Sequence, residues 1–195
     1  MIFKQAVIAW VFSVCFVAPA FAQSAAPQTT SPLVDHAILG ESGLPSLDWF
    51  TEASSDLRDD IKGATAKGKL FALVWEQAGC YYCKQMHEVN FGIDEITDFV
   101  RSHFELVQMD MHGGRVLTDL KGEVGRETDL ARRNRVTGTP TIQFLVADGR
   151  EVFRMPGYAK PAVFLAAFQY VKEGGYRTLS FRAWVKAEIK RRAKS

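Results

Sequence analysis

Two cysteines separated by two residues, Cys80 and Cys83, constrain this chain more than any other feature. The apolar run that precedes them, residues 70–75, is short, is bounded by Lys and Gly, and is typical of a strand buried on both faces. A helical pattern extends from Cys80 to about Asn90, so the pair is predicted where a buried strand ends and a helix begins. A disulfide between such close cysteines closes a very small loop and adds little loop-closure entropy. A reactive or metal-binding pair is therefore favoured over a structural cross-link.

The N-terminus has the three-part pattern of an export signal. Lys4 supplies the positive charge, residues 6–18 are apolar, and Ala20-Phe21-Ala22 matches the small-x-small cleavage pattern. We expect cleavage after Ala22 and a periplasmic location, followed by a flexible leader, residues 23–45, rich in Ala, Pro, Ser, Thr and Gly. Cleavage removes Cys15, which leaves Cys80 and Cys83 as the cysteines of the mature chain.

Charge and composition narrow the classes of function. The formal net charge is +2 at pH 7 and falls to +1 without Lys4, so no electrostatic argument favours a nucleic acid partner. With 47% hydrophobic and 24% charged residues, the composition is that of a globular protein, and residues 46–195 are predicted to form one domain. The basic segment at residues 186–194 is compatible with docking to a membrane or partner and, more simply, with a solvated helix face.

The rest of the chain alternates helical and strand-like patterns. Phe50 and Ala53 are predicted to open the first helix, and Trp184 and Ile189 to face the body from the last. Helices are predicted at residues 50 to about 63–68, 80–90, 95–102, 127–133, 161–172 and 179–192. Strands are predicted at 70–75, 104–109, 141–146 and 150–155, and a small hairpin at 116–124.

This order of elements predicts an α/β fold. Two parallel strands joined by a helix cross over right-handedly, and the Asp148-Gly149 turn adds an antiparallel hairpin to the same sheet. The expected architecture is a mixed central β-sheet flanked by helices, with an N-terminal helix and an extra C-terminal helix.

The predicted position of the cysteines suits thiol–disulfide exchange. The thiolate is the nucleophile, and the free amides and dipole at a helix start favour it at Cys80. Cys83 falls one turn deeper on the same face, where it can resolve a mixed disulfide. Lys84 and His87 continue this face and could add positive potential, but solvated surface side chains are favoured. Tyr81 and Tyr82 are predicted to shape the access of partners.

Metal binding is the alternative that this spacing leaves open. Zinc sites also use Cys-x-x-Cys, but a second ligand pair is missing, because His87, His103 and His112 are scattered. Lys84 follows the second cysteine where covalent haem attachment needs His. Copper could use Met109, Met111 and His112, although such methionines more often belong to the core. We expect no metal and no other cofactor.

The chain resembles the thioredoxin superfamily from about Lys69 to Lys172, and is most similar to the exported thioredoxins of bacterial sulfur-oxidation systems. The matching residues are Glu76, Gly79-Cys80-x-Tyr82-Cys83-Lys84-x-Met86-His87, Phe91, Thr139-Pro140-Thr141 and Met155-Pro156-Gly157-Tyr158. The resemblance implies a thioredoxin fold in which the Thr139–Pro140 peptide bond is cis and the backbone there pairs with an incoming partner segment.

The sequence departs from ordinary thioredoxins at three places. Their buried acid, which accepts the proton of the deeper thiol, lies six residues before the first cysteine, and here that residue is Val74. We hypothesise that Glu76, two residues on and on the same side of the strand, takes this role, the alternative being a helix cap or a surface ion pair. The usual Trp before the first cysteine is Gly79, and Tyr81-Tyr82 replaces Gly-Pro, so the reduction potential cannot be transferred.

The resemblance implies a reductase. A membrane thiol–disulfide electron carrier would reduce Cys80–Cys83, which then reduces disulfides of exported proteins. Chemistry alone does not determine the direction, because a few tens of millivolts change the equilibrium about tenfold. An exported oxidase or isomerase, and a non-catalytic copper-binding module that uses the same cysteines, remain alternatives.

Overall fold

The computed structural model describes residues 38–39 and 43–193. The predicted signal peptide, residues 1–22, and residues 23–37 of the predicted leader lie outside the described residues. The elements in chain order are β1 (Ile38–Leu39), β2 (Pro45–Ser46), β3 (Thr51–Glu52), α1 (Leu57–Ala66), β4 (Leu70–Glu76), α2 (Tyr81–Gln85), a π-helical turn (Met86–Asn90), α3 (Asp94–His103), β5 (Phe104–Asp110), β6 (Val116–Thr118), β7 (Val124–Arg126), α4 (Glu127–Arg133), β8 (Thr141–Leu145), β9 (Glu151–Pro156), α5 (Pro161–Lys172), a 3-10 turn (Gly175–Arg177) and α6 (Phe181–Arg192). None of the described helices is both long enough and apolar enough to span a membrane.

Five strands form the central sheet, in the order β3-β5-β4-β8-β9. β4 pairs in parallel with β5, with Leu70 opposite Phe104, and antiparallel with β8. β9 follows β8 as an antiparallel hairpin strand, and Gly149 in the connecting turn has a φ of +82°, a conformation that favours glycine. The predicted mixed sheet and its hairpin are therefore confirmed, as is the small hairpin of β6 and β7.

β4 is buried along both faces, and its side chains alternate between two apolar clusters. Ala72 and Val74 face the cluster that α3, α5 and α6 cover, whereas Leu73 and Trp75 face the cluster that α1 and α4 cover. Helices on both faces exclude water from the parallel strands, as such strands require. The C-terminal end of β4 thus emerges from the middle of the core, next to the cysteines.

The first helix begins later than predicted. Thr51 and Glu52 form a short strand that pairs in parallel with Val107 and Gln108 at the edge of the sheet, and α1 starts only at Leu57. Asp56 caps α1 by accepting a hydrogen bond from the backbone N–H of Arg58, and its contacts with Arg58 lower the pKa of Asp56 to about 2. The prediction that Phe50 and Ala53 belong to the helix is wrong, because this cap ends the edge-strand segment before the helix starts.

Regular structure also begins before residue 46. β1 pairs antiparallel with β2, with Leu39 opposite Pro45, and Leu44 is buried. The end of the predicted leader therefore contributes a strand and an apolar side chain to the folded unit.

At the other end of the chain, α6 packs against α5 through Trp184, whose ring lies 5.6 Å from that of Tyr170. Ile189 is 64% exposed, so the prediction that it faces the body is wrong. At Ile189 the helix lies over an open groove that Ile93 and Val163 also line, instead of against the core.

Candidate active site

Cys80 and Cys83 form a disulfide at the start of α2, with their Cα atoms 5.2 Å apart. After β4 ends at Glu76, Gly79 adopts a φ of +71° and the Cys80 N–H donates to the Gln77 carbonyl at 3.3 Å. This turn brings Cys80 to the N-cap position of α2, where its Sγ accepts a hydrogen bond from the Cys83 N–H at 3.0 Å. The predicted position between strand and helix is confirmed, and the first-turn Cys83 N–H faces the Cys80 sulfur.

The two cysteines differ in their exposure to solvent. Cys83 is fully buried, whereas Cys80 is partly exposed. Tyr81 and Tyr82, which follow Cys80, are 66% and 56% exposed. A partner molecule can therefore reach Cys80, while Cys83 is sheltered behind it.

The Thr139–Pro140 segment lies against the cysteine pair from the other side of the site. The peptide bond between these residues is cis, as predicted. The Thr139 hydroxyl donates a hydrogen bond to Cys80 Sγ at 3.2 Å, although the two residues are 59 positions apart. The Pro140 carbonyl accepts from the Gly157 N–H at 2.7 Å, which ties the segment to the end of β9. The fold thus brings together the two motifs that the sequence separates.

Tyr82 rests on a second tyrosine that the sequence analysis did not single out as a site residue. The rings of Tyr82 and Tyr158 are stacked, with centroids 6.0 Å apart and an interplanar angle of 17°. The Tyr158 hydroxyl donates to Asn90 Oδ1 at 3.3 Å, and buried Asn90 donates to the Ala159 carbonyl at 2.9 Å. These contacts support an aromatic surface beside the Cys80 sulfur.

Glu76, the hypothesised acid, is fully buried at the end of β4. Its Oε1 lies 2.7 Å from His87 Nε2, and its Oε2 accepts a hydrogen bond from Gln108 Nε2 on β5. Gln108 Nε2 also donates to the Pro45 carbonyl at 2.6 Å. Because Glu76 is inaccessible, the alternative of a surface ion pair is wrong.

His87 is only 1% exposed, so the prediction of a solvated side chain is wrong for this residue. Its interior position follows from its partner, because a buried polar group needs a hydrogen bond and Glu76 supplies one. Lys84 is exposed and lies 3.5 Å from Glu88, so the same prediction is confirmed for Lys84.

The residues considered as metal ligands are not gathered at one place. Among the residues that the structure describes, no three His, Cys, Asp or Glu side chains form a group that could hold a metal ion. Met109 is buried in the core on the side of α1 and α4, His112 is exposed, and His103 Nδ1 lies 2.8 Å from the Phe99 carbonyl.

The comparisons with known proteins agree on the fold. A family description of the thioredoxin-like domain matches residues 57–172. A thioredoxin-fold protein from Helicobacter pylori aligns with a TM-score of 0.57 at 22% identity, covering 75% of this chain and 93% of its own. A thioredoxin from Thermus thermophilus aligns with a TM-score of 0.50 at 24% identity, covering 63% of this chain and 87% of its own. A candidate disulphide-isomerase from Bacteroides thetaiotaomicron aligns with a TM-score of 0.50 at 25% identity, covering 66% of this chain and 93% of its own. A search of curated protein sequences gives no match.

The family match covers more than half of the chain and contains both the cysteine pair and the cis-proline segment. The mixed five-stranded sheet with helices on both faces agrees with it. This protein therefore belongs to the thioredoxin-like domain family and has a thioredoxin fold with a Cys-x-x-Cys disulfide.

Proposed function

We propose that the protein is an exported thiol–disulfide oxidoreductase that works as a reductase, passing electrons from a membrane thiol–disulfide carrier to disulfides of exported proteins. One observation carries the proposal: Cys80 and Cys83 form a disulfide in which one cysteine is partly exposed at a helix start and the other is buried. A structural disulfide needs no such difference in access, whereas stepwise exchange does.

The reaction takes two steps. In the reduced protein, the Cys80 thiolate attacks one sulfur of a substrate disulfide, forming a mixed disulfide and releasing the first substrate sulfur as a thiolate. Cys83 then attacks Cys80 Sγ, which breaks the bond to the second substrate sulfur and closes the Cys80–Cys83 disulfide. Two electrons pass to the substrate, and a dithiol of the carrier returns them to the cysteine pair.

The surface around Cys80 suits an extended polypeptide as substrate. Proline has no backbone N–H, and the Pro140 carbonyl already accepts from Gly157, so a partner strand would pair with the backbone of Thr139. Exposed Tyr81 and Tyr82 offer apolar contact beside that strand. Glu76 is the group that we propose accepts the proton of Cys83 in the second step.

Two further parts of the proposal are export of the protein and the direction of electron flow. Export is supported by the signal pattern of residues 1–22, and the reductase direction and a place in sulfur oxidation by the resemblance of the motif around Cys80. An oxidase or isomerase would use the same cysteines. The similarity to the candidate disulphide-isomerase from Bacteroides thetaiotaomicron, at 25% identity, supports the isomerase as an alternative. A copper-binding module is the second alternative.

The reduction potential of the purified protein distinguishes these functions. Equilibration with glutathione or dithiothreitol buffers, with the disulfide fraction measured by alkylation and mass spectrometry, should give a potential more negative than about −200 mV, on the side of thioredoxin. A potential near the value of about −120 mV for a strong oxidase contradicts the reductase direction. One tightly bound copper ion per chain, lost in a Cys80→Ser variant, contradicts the enzyme.

A further inference from the structure

Glu76, His87 and Gln108 form a hydrogen-bonded polar cluster that joins β4, the π-helical turn and β5. Glu76 is 0% and His87 1% exposed, and each carboxylate oxygen of Glu76 meets a different nitrogen, His87 Nε2 or Gln108 Nε2. An ionised carboxylate so far from water needs hydrogen-bond donors at both oxygens, and this cluster provides them.

The surroundings of His87 determine which of its nitrogens carries a proton. Nδ1 is buried and has no hydrogen-bond partner among the described residues, and the Phe50 and Phe91 ring centroids lie 5.2 and 5.9 Å from that of the imidazole. A proton on Nδ1 would bury an unpaired N–H, which is rarer and more costly than an unfilled acceptor. The tautomer with its proton on Nε2 avoids this cost and donates that proton to Glu76.

Helix geometry places this cluster on the Cys83 face of the helix. Cys83 and His87 are four residues apart on the continuous helix formed by α2 and the π-helical turn, so they share one face, and both are buried. Glu76 is held to this face by its contact with His87. Asp110, a further titratable group, is the register partner of Glu76 on β5, and its carboxylate accepts from the His112 N–H at 2.9 Å.

We propose that His87 is a positioning residue: its Nε2–H, together with Gln108, holds Glu76 as the carboxylate that accepts the Cys83 proton. The inference rests on the proposed function and concerns only its second step. In that step a bond forms between the Cys83 and Cys80 sulfurs, the bond from Cys80 to the substrate breaks, and its electron pair leaves with the substrate sulfur. The thiol proton of Cys83 passes to Glu76, and it returns to Cys83 when the carrier reduces the disulfide.

Rapid-quench kinetics separates the two steps. The reduced protein is mixed with glutathione disulfide and quenched with acid at set times, and intact-mass spectrometry counts the reduced chain, the glutathione adduct and the closed disulfide. His87→Leu should slow closure of the adduct about tenfold at pH 6, the effect of one lost charge-assisted hydrogen bond, and leave adduct formation unchanged. Glu76→Gln should slow closure about 100-fold, as loss of a proton acceptor does.

Two controls separate positioning from packing. His87→Gln places an amide N–H at the same ε position and should restore most of the closure rate, whereas His103→Gln, the same substitution away from the cluster, should leave both steps at the original rates. The slowing of closure in His87→Leu should become smaller as the pH rises past about 8.5, because a thiol ionises there without a proton acceptor. Its retained fold is checked by circular dichroism.

The outcomes are distinguishable. An unchanged closure rate in His87→Leu, an equal pH-independent deficit in His87→Leu and His87→Gln, or an equal loss in both steps overturns the positioning role. If the unsubstituted protein forms the adduct no faster than a free thiol does, the proposed function fails instead, whatever the variants show.

Discussion

Replacement of Cys80 by Ser is expected to abolish disulfide reduction, lowering the rate of dithiothreitol-driven insulin reduction at least about 10³-fold, to the uncatalysed background. Cys80 is the sulfur that a partner can reach, and it lies at the N-cap of α2 and accepts from the Thr139 hydroxyl. A serine hydroxyl at the same position stays un-ionised at neutral pH and cannot form the mixed disulfide. Turbidity from precipitating insulin chains measures the loss.

Cys83→Ser is the matched control, because it removes the other sulfur of the same pair. This variant should also lose turnover, yet keep the first step and accumulate a mixed disulfide at Cys80 that mass spectrometry detects. If Cys83→Ser forms no adduct, or if Cys80→Ser forms one through Cys83, the assignment of the attacking and resolving sulfurs is reversed or wrong.

Phe168→Ala is expected to cost about 3–5 kcal/mol of the free energy of unfolding, the range for removing a large aromatic side chain from a core. Phe168 is fully buried on α5, where its ring lies 5.0 Å from Phe104, 4.9 Å from Phe144 and 5.1 Å from Phe164, measured between centroids. The substitution therefore removes contacts between α5 and two strands of the sheet and leaves a cavity between them. Urea unfolding followed by circular dichroism measures the change.

Val163→Ala on the same helix is the control for this prediction. Val163 is 47% exposed, so its truncation should change the free energy of unfolding by about 0.5 kcal/mol or less. A loss below about 1 kcal/mol for Phe168→Ala would show that this aromatic cluster does not hold α5 to the sheet.

The periodicity of the sequence predicts most of the regular elements. The helices Glu127–Arg133 and Pro161–Lys172 have the bounds that their apolar spacing indicates, and the strand Leu70–Glu76 is one residue longer than its apolar run. The strand at Thr51–Glu52 could not be predicted in this way, because two residues define no period. It forms because it pairs with β5, whose partner residues lie 56 positions later in the chain.

The residues of the candidate site also fall into those that the sequence predicts and those that it does not. Cys80, Cys83 and the Thr139–Pro140 segment could be identified, because their spacing and resemblance are visible in the sequence. The buried position of His87 and the stack of Tyr158 on Tyr82 could not, because each depends on a partner from another element. A histidine on a helix looks solvated until the strand beside it is known to supply a carboxylate.

The proposed thiol–disulfide exchange depends on Cys80 being a thiolate at neutral pH. Its rate of alkylation by iodoacetamide, measured in the reduced protein from pH 4 to pH 10 with peptide mass spectrometry to identify the labelled residue, tests this directly. We predict labelling at Cys80 ahead of Cys83, with a titration midpoint clearly below the value of about 8.5 for a free cysteine, since the Cys83 N–H at the start of α2 and the Thr139 hydroxyl donate to this sulfur. A midpoint at the free-cysteine value, with labelling no faster than that of glutathione, would contradict a role of Cys80 as the attacking thiolate.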